Sequence, residues 1–151
     1  MSLTNRSTDS PLLVRGDLSF TLRLPVVPRG QERARHSRSG HAYTPAKTRA
    51  ASKEIQDLWA LAGRPVIEGE WFAADIFAEI KRPKSSKFPV PPRPDCDNIA
   101  KLVLDALQGC AFENDSRCRL LYVEKAWADS PMLTVTLSWV PVGGIDRGVR
   151  L

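Results

Sequence analysis

The chain has 151 residues, 42% hydrophobic and 26% charged, the balance of an ordinary globular protein with roughly two-thirds of its unfolded surface to bury in a single core. No apolar run approaches the ~20 residues that cross a bilayer, and Met1 to Ser10 lack the apolar core of an export signal, so a cytoplasmic protein is expected. Cys96, Cys110 and Cys118 form no Cys-x-x-Cys pair, which speaks against a zinc site or a disulfide framework, and a net charge of +5 is moderate enough that its distribution matters more than its sum.

Residues 1–16 have no period and read as a poorly ordered leader, with a single domain expected over 17–142 and a tail over 143–151. Leu18, Phe20, Leu22 and Leu24 alternate with polar residues, which predicts a half-buried strand ended by Pro25. From Pro28 to Lys53 the chain carries Arg29, Arg33, Arg35, Arg38, Lys47, Arg49 and Lys53 against Glu32 alone, with His36, His41 and Tyr43 interleaved. Such a loop suits phosphate-backbone binding, and taken alone it suits a solvated surface at least as well. The two histidines lack partners at metal-ligand spacing.

Thr44-Pro45 reads as a helix start, a hydroxyl cap followed by proline. Ala51, Ile55, Leu58, Trp59 and Ala62 then recur at helical spacing until Gly63 and Pro65. Trp71 to Ile80 is the second strand, with Phe72, Ala74, Ile76, Ala78 and Ile80 on one face and Asp75 on the other, where a solvent-facing role is the simpler one. Lys81 to Pro94 follows with Lys81, Arg82, Lys84, Lys87 and Arg93, no acid and repeated proline, so it cannot pair as a central strand. Two basic loops in one small domain point towards nucleic acid.

Next comes Asp95-Cys96-Asp97-Asn98-Ile99-Ala100-Lys101, in which Asp97 or Asn98 is expected to cap the second helix. Ile99, Leu102, Val103, Ala106 and Leu107 are its apolar stripe, and Gly109 ends it. Glu113-Asn114-Asp115-Ser116 reads as a turn, Arg119 to Trp127 as a strand, and Leu133 to Trp139 as its hairpin partner across Asp129-Ser130-Pro131. The expected fold class is α+β, a two-layer α/β sandwich. It has a four-stranded mixed sheet in the order β-α-β-α-β-β, with both helices on one face.

In an extended approach to the helix, Asp95 and Asp97 point the same way, and two carboxylates held together call for a cation between them. The cation that suits such oxygen ligands, with phosphate completing its shell, is Mg²⁺. Asp115 is the candidate third ligand. Lys101, four residues after Asp97, is placed to meet a phosphate or to position a water, with Asp105 as a possible salt-bridge partner. Capping and turn chemistry account for Asp97 or Asn98 and for Asp115 equally well, but do not require Asp95.

Arg93-Pro94-Asp95-Cys96-Asp97-Asn98-Ile99-Ala100-Lys101, then Leu104-Asp105-Ala106-Leu107 and Asn114-Asp115-Ser116, resembles the RusA family of Holliday-junction resolvases. Gly40-His41-Ala42-Tyr43-Thr44-Pro45 with Lys47 is similar to that family's basic segment. The resemblance implies a small homodimeric endonuclease, often phage-borne, that uses Mg²⁺ to nick four-way DNA junctions symmetrically in recombination and repair. By position it makes Asp95, Asp97 and Asp115 the metal-binding carboxylates and Lys101 the active-site lysine. Arg29, Arg33, Arg35, Arg38, Lys47, Lys81, Arg82, Lys84, Lys87 and Arg93 are then the expected DNA grip. Asn114 departs from the family, many members of which carry an acid there. Two other functions fit the same residues: a non-catalytic DNA-binding module, and a metal-dependent nucleotide phosphohydrolase.

Overall fold

The computed structural model describes residues 13–16 and 18–141; the rest of the expected leader, Asp17 and the tail lie outside the described residues. Strand β1, Leu13–Gly16, and β2, Ser19–Leu24, pair antiparallel. Two short strands, β3 at Arg35–His36 and β4 at Ala42–Tyr43, form a separate two-stranded ribbon. Helix α1 covers Ala46–Leu61, β5 Gly69–Lys81 and α2 Cys96–Leu107. A 3-10 turn at Asp115–Arg117 leads into β6, Cys118–Ala128, and the last strand is β7, Met132–Pro141.

The main sheet has five strands in the order β1-β2-β7-β5-β6. Every neighbouring pair is antiparallel except β5 with β6, whose connection runs through α2, as a parallel pair requires a long crossover. The class is the expected α+β, but two details differ. The four-strand count falls short by β1, which was read as unpaired leader. The hairpin between the last two strands does not form, because β5 stands between β6 and β7. Burial explains that outcome: Leu133, Val135, Leu137 and Trp139 of β7 are all buried and suit a central strand, whereas no residue of β6 is fully buried and it takes the edge.

Phe20, Leu22 and Leu24 of β2, Phe72, Ala74, Ile76 and Ala78 of β5, and the buried face of β7 share one apolar cluster with both helices. Alternation puts all these strand residues on one face of the sheet, so α1 and α2 cover that face together. Helix α1 contributes Ala51 and Ile55, and α2 contributes Ile99, Leu102, Val103, Ala106 and Leu107. Each fully buried Leu or Ile is worth about 1.5–3 kcal/mol of transfer free energy. The opposite face carries the Thr21 and Thr136 hydroxyls, 2.8 Å apart, and the exposed Asp75.

Helix starts shift slightly from their expected places. Pro45, not Thr44, occupies the α1 cap position, with no side-chain cap bond. At the helix ends Gly63 and Gly109 take φ of 91° and 78°, the left-handed region where a Cβ is unfavourable.

Candidate active site

Helix α2 begins at Cys96, two or three residues earlier than the capping argument placed it. Asp95, not Asp97 or Asn98, is the cap residue, in extended conformation with φ −72° and ψ 145°, and its side chain makes no capping hydrogen bond. Cys96 is already helical, so the strand-like alternation expected to set Asp95 beside Asp97 does not operate here. Asp97 instead lies in the first helical turn, where the helix dipole favours a negative charge. The carboxylate of Asp95 is therefore left over from helix formation.

What surrounds Asp95 comes from distant parts of the chain. A cleft of about 420 Å³ is lined by residues 28–32, which include Arg29, together with Lys47, Thr48, Arg93, Pro94, Asp95 and Asn98. One wall is pressed onto the start of α2: the Gln31 N–H donates to the Asn98 carbonyl at 2.9 Å. A Cβ on Gly30 would come within 2.9 Å of the Asn98 Cβ and 3.1 Å of the Pro94 Cβ, so this close approach requires glycine. On the other side Lys125 Nζ, on β6, donates to the Pro94 carbonyl at 2.9 Å and the Pro92 carbonyl at 3.4 Å. Trp127 Nε1 donates to the Phe88 carbonyl at 2.8 Å. The proline-rich loop is thus tied to β6 immediately before Asp95.

The remaining candidates lie elsewhere. Asp97 and Lys101 do not line the cleft; Lys101 is exposed one turn further along α2. Among the described residues no ion pair joins Lys101 to Asp105, whereas Arg35–Glu32, Lys53–Asp57 and Arg117–Glu113 do pair. Asp115 belongs to the other end of α2, where its backbone N–H donates to Oε1 of Gln108, the residue that closes the helix. Twelve helical residues span about 18 Å. Asn114, whose role the sequence left open, caps the 3-10 turn by accepting the Ser116 N–H on Oδ1 at 2.9 Å. The turn chemistry that seemed to account for Asp115 is thus supplied by its neighbour. Burial pushes the Cys118 thiol up in pKa, and the charge of Asp115 adds to that rise.

Among the described residues, no three His, Cys, Asp or Glu side chains come together as a metal site. The donor chemistry nevertheless fits a hard cation: Asp95 and Asp97 are acids two residues apart, the first of them unused by the helix. Mg²⁺ is commonly held by one or two carboxylates and several waters.

Of the expected DNA grip, Arg29, Lys47 and Arg93 meet at the cleft, although they come from both basic loops. Arg33, Arg35 and Arg38 are exposed on or beside the β3–β4 ribbon, Lys81 is exposed at the end of β5, and Arg82, Lys84 and Lys87 are exposed on the proline-rich loop. Sequence reasoning missed Gly30, Asn98, Thr48 and Lys125 as builders of the site. Thr48 had a readable signal, a polar residue on the same helical stripe as Ala51 and Ile55; it is buried, and its Oγ1 accepts the Glu32 N–H at 3.2 Å. Lys125 had none, since its partners lie 31 and 33 residues away.

An acid able to take a hard cation, beside three basic residues, has the chemistry to hold a phosphodiester next to a metal-activated water. Compared with known proteins, residues 24–138 match the family model described as "Endodeoxyribonuclease RusA". No curated protein matches the chain.

Proposed function

The chain belongs to the RusA family of endodeoxyribonucleases, which the match over residues 24–138 shows. On that premise we propose a Mg²⁺-dependent nuclease of the cytoplasm that resolves Holliday junctions by paired nicks during recombination and repair. The observation that carries this reading is the cleft. It puts a carboxylate free of capping duty, Asp95, among Arg29, Lys47 and Arg93.

In this reading Asp95 and Asp97 hold Mg²⁺ with waters, and Asp115 is the third carboxylate of the set. When bound, the ion lowers the pKa of a water and offsets charge on the departing oxygen. Arg29, Lys47 and Arg93 hold the backbone around the scissile phosphate, where each neutralised phosphate releases condensed counterions. Lys101 neutralises that phosphate or positions the attacking water. The outer arginines and lysines of both basic loops follow the arms of the junction and read its shape.

A second copy of the chain is required on two counts. Paired nicks need two sites related by a two-fold axis, and one copy does not gather the three carboxylates. We assign its surface to β6, an edge strand whose C-terminal half is covered by the loop that Lys125 and Trp127 hold. The uncovered half exposes Leu120, Leu121 and Tyr122 by 48%, 50% and 59%. An unprotected apolar edge of this kind invites another strand. The protein should sediment as a dimer that Leu121→Lys splits; a monomeric wild type would remove this assignment.

The deciding experiment is cleavage of a synthetic four-way junction with Mg²⁺ against EDTA. Paired nicks that EDTA abolishes support the reading. Binding without cleavage at any metal concentration would make the protein a DNA-binding module. Hydrolysis of free nucleotides with the junction left intact would make it a phosphohydrolase.

A further inference from the structure

The segment from Arg33 to Thr44 takes no part in the core. Every residue from Arg33 to Thr44 is exposed except as it touches its own ribbon, and β3 and β4 pair only with each other, Arg35 opposite Tyr43 and His36 opposite Ala42. A ribbon this short is marginal in water by itself. Its tip is nonetheless well tied. The Gly40 N–H donates to the Ser37 carbonyl and the Ser37 N–H to the His41 carbonyl, both at 2.9 Å. Ser39 Oγ lies 2.8 Å from Ser37 Oγ and 3.0 Å from His41 Nδ1. The ribbon is a preformed arm without a packing partner.

Both roots of the arm are walls of the cleft. Arg29 to Glu32 line it where the chain enters the arm, Lys47 and Thr48 line it where the chain leaves, and the Glu32 N–H to Thr48 Oγ1 bond ties the roots together. A backbone held in the cleft therefore meets the arm. Phosphate binding gives Arg33, Arg35 and Arg38 a purpose and could engage the Tyr43 hydroxyl, but it makes no use of the face of the ring. Tyr43 is 47% exposed, stands outside the apolar cluster, and is four residues before Lys47 of the cleft.

Resting on the junction-cleaving function above, we infer that Tyr43 stacks on a base at the branch point, so that the β3–β4 arm distinguishes branched from continuous DNA. A branch point is where base stacking is interrupted. An aromatic face there replaces the missing neighbour regardless of base identity. In an unbroken duplex both faces of each base are already covered, and the ring has no partner. The arginines give the arm affinity for any DNA, while Tyr43 gives it preference for a branch.

The test uses the full chain in EDTA, so that no strand is cut, with a four-way junction carrying 2-aminopurine at the branch and a duplex of matching sequence. Wild type should prefer the junction and change the 2-aminopurine fluorescence. Tyr43→Ala should weaken junction binding by about tenfold, the order expected for one lost base–aromatic stack. It should also abolish the fluorescence change and leave duplex affinity and melting temperature unchanged. Tyr43→Trp should restore both junction signals, which a merely structural role would not predict. A Tyr43→Ala protein that keeps the wild-type fluorescence response and junction preference overturns the inference while leaving the nuclease intact. A wild type that binds junction and duplex alike overturns the junction reading itself, and the inference with it.

Discussion

The two ends of α2 carry the same kind of residue in opposite electrostatic settings. At the N-terminal end Asp95 holds the cap position without capping, and Arg29, Lys47 and Arg93 surround it. The helix dipole there is positive and favours anions. At the C-terminal end Asp115 is relieved of turn duty by Asn114, its neighbour is the Cys118 thiol, and the dipole favours cations. In both places a local hydrogen-bonding need that would have occupied the acid is absent or met by another group. The difference is that the first end is equipped for a phosphate and the second is not.

The largest test of that asymmetry is Asp95→Asn. Nicking of a four-way junction should fall on the order of 10²–10³-fold in single-turnover assays, with junction binding retained. A variant that cuts at the wild-type rate would detach Asp95 from the chemistry. The cleft bases come next: Arg29→Ala, Lys47→Ala and Arg93→Ala should each weaken binding to junction and duplex alike. Each should also make the slope of log affinity against log salt shallower by about one, read by fluorescence anisotropy over a potassium chloride series. An unchanged slope would place the backbone elsewhere.

Stability separates the two ends more gently. Asn114→Ala removes the Asn114 Oδ1 bond to the Ser116 N–H and should cost about 1 kcal/mol in urea unfolding. Asp95→Ala removes no cap bond and should cost only a few tenths. Equal losses would mean that Asp95 has a structural duty after all. The smallest effect concerns Cys118, whose thiol is pushed up first by burial and then by the charge of Asp115. A raised thiol pKa means less thiolate at a given pH, so Asp115→Asn should move the midpoint of the iodoacetamide labelling profile of Cys118 to lower pH. A profile that does not move would show that the two groups are not electrostatic neighbours.

Local patterning made much of the molecule legible. The alternation in Phe20, Leu22, Leu24 and in Leu133 to Trp139, and the stripes of α1 and α2, are nearest-neighbour signals that survive any tertiary arrangement. The acid-rich start of α2, the Asp115 turn and the two basic loops were visible in the same way, because they are runs of adjacent residues. Strand order was decided only in three dimensions. The short Asp129–Pro131 link favours a hairpin locally, yet the fully apolar face of β7 gains more from a central place between β2 and β5, which leaves β6 at the edge. The cleft likewise has no linear signature. Gly30 against Asn98, and Lys125 against Pro94, join segments far apart along the chain, and those contacts bring Arg29, Lys47 and Arg93 to Asp95. The sequence by itself determined which side chains were available for metal and phosphate chemistry. Tertiary packing decided which of them meet, because side-chain convergence depends on non-local contacts that no spacing along the chain encodes.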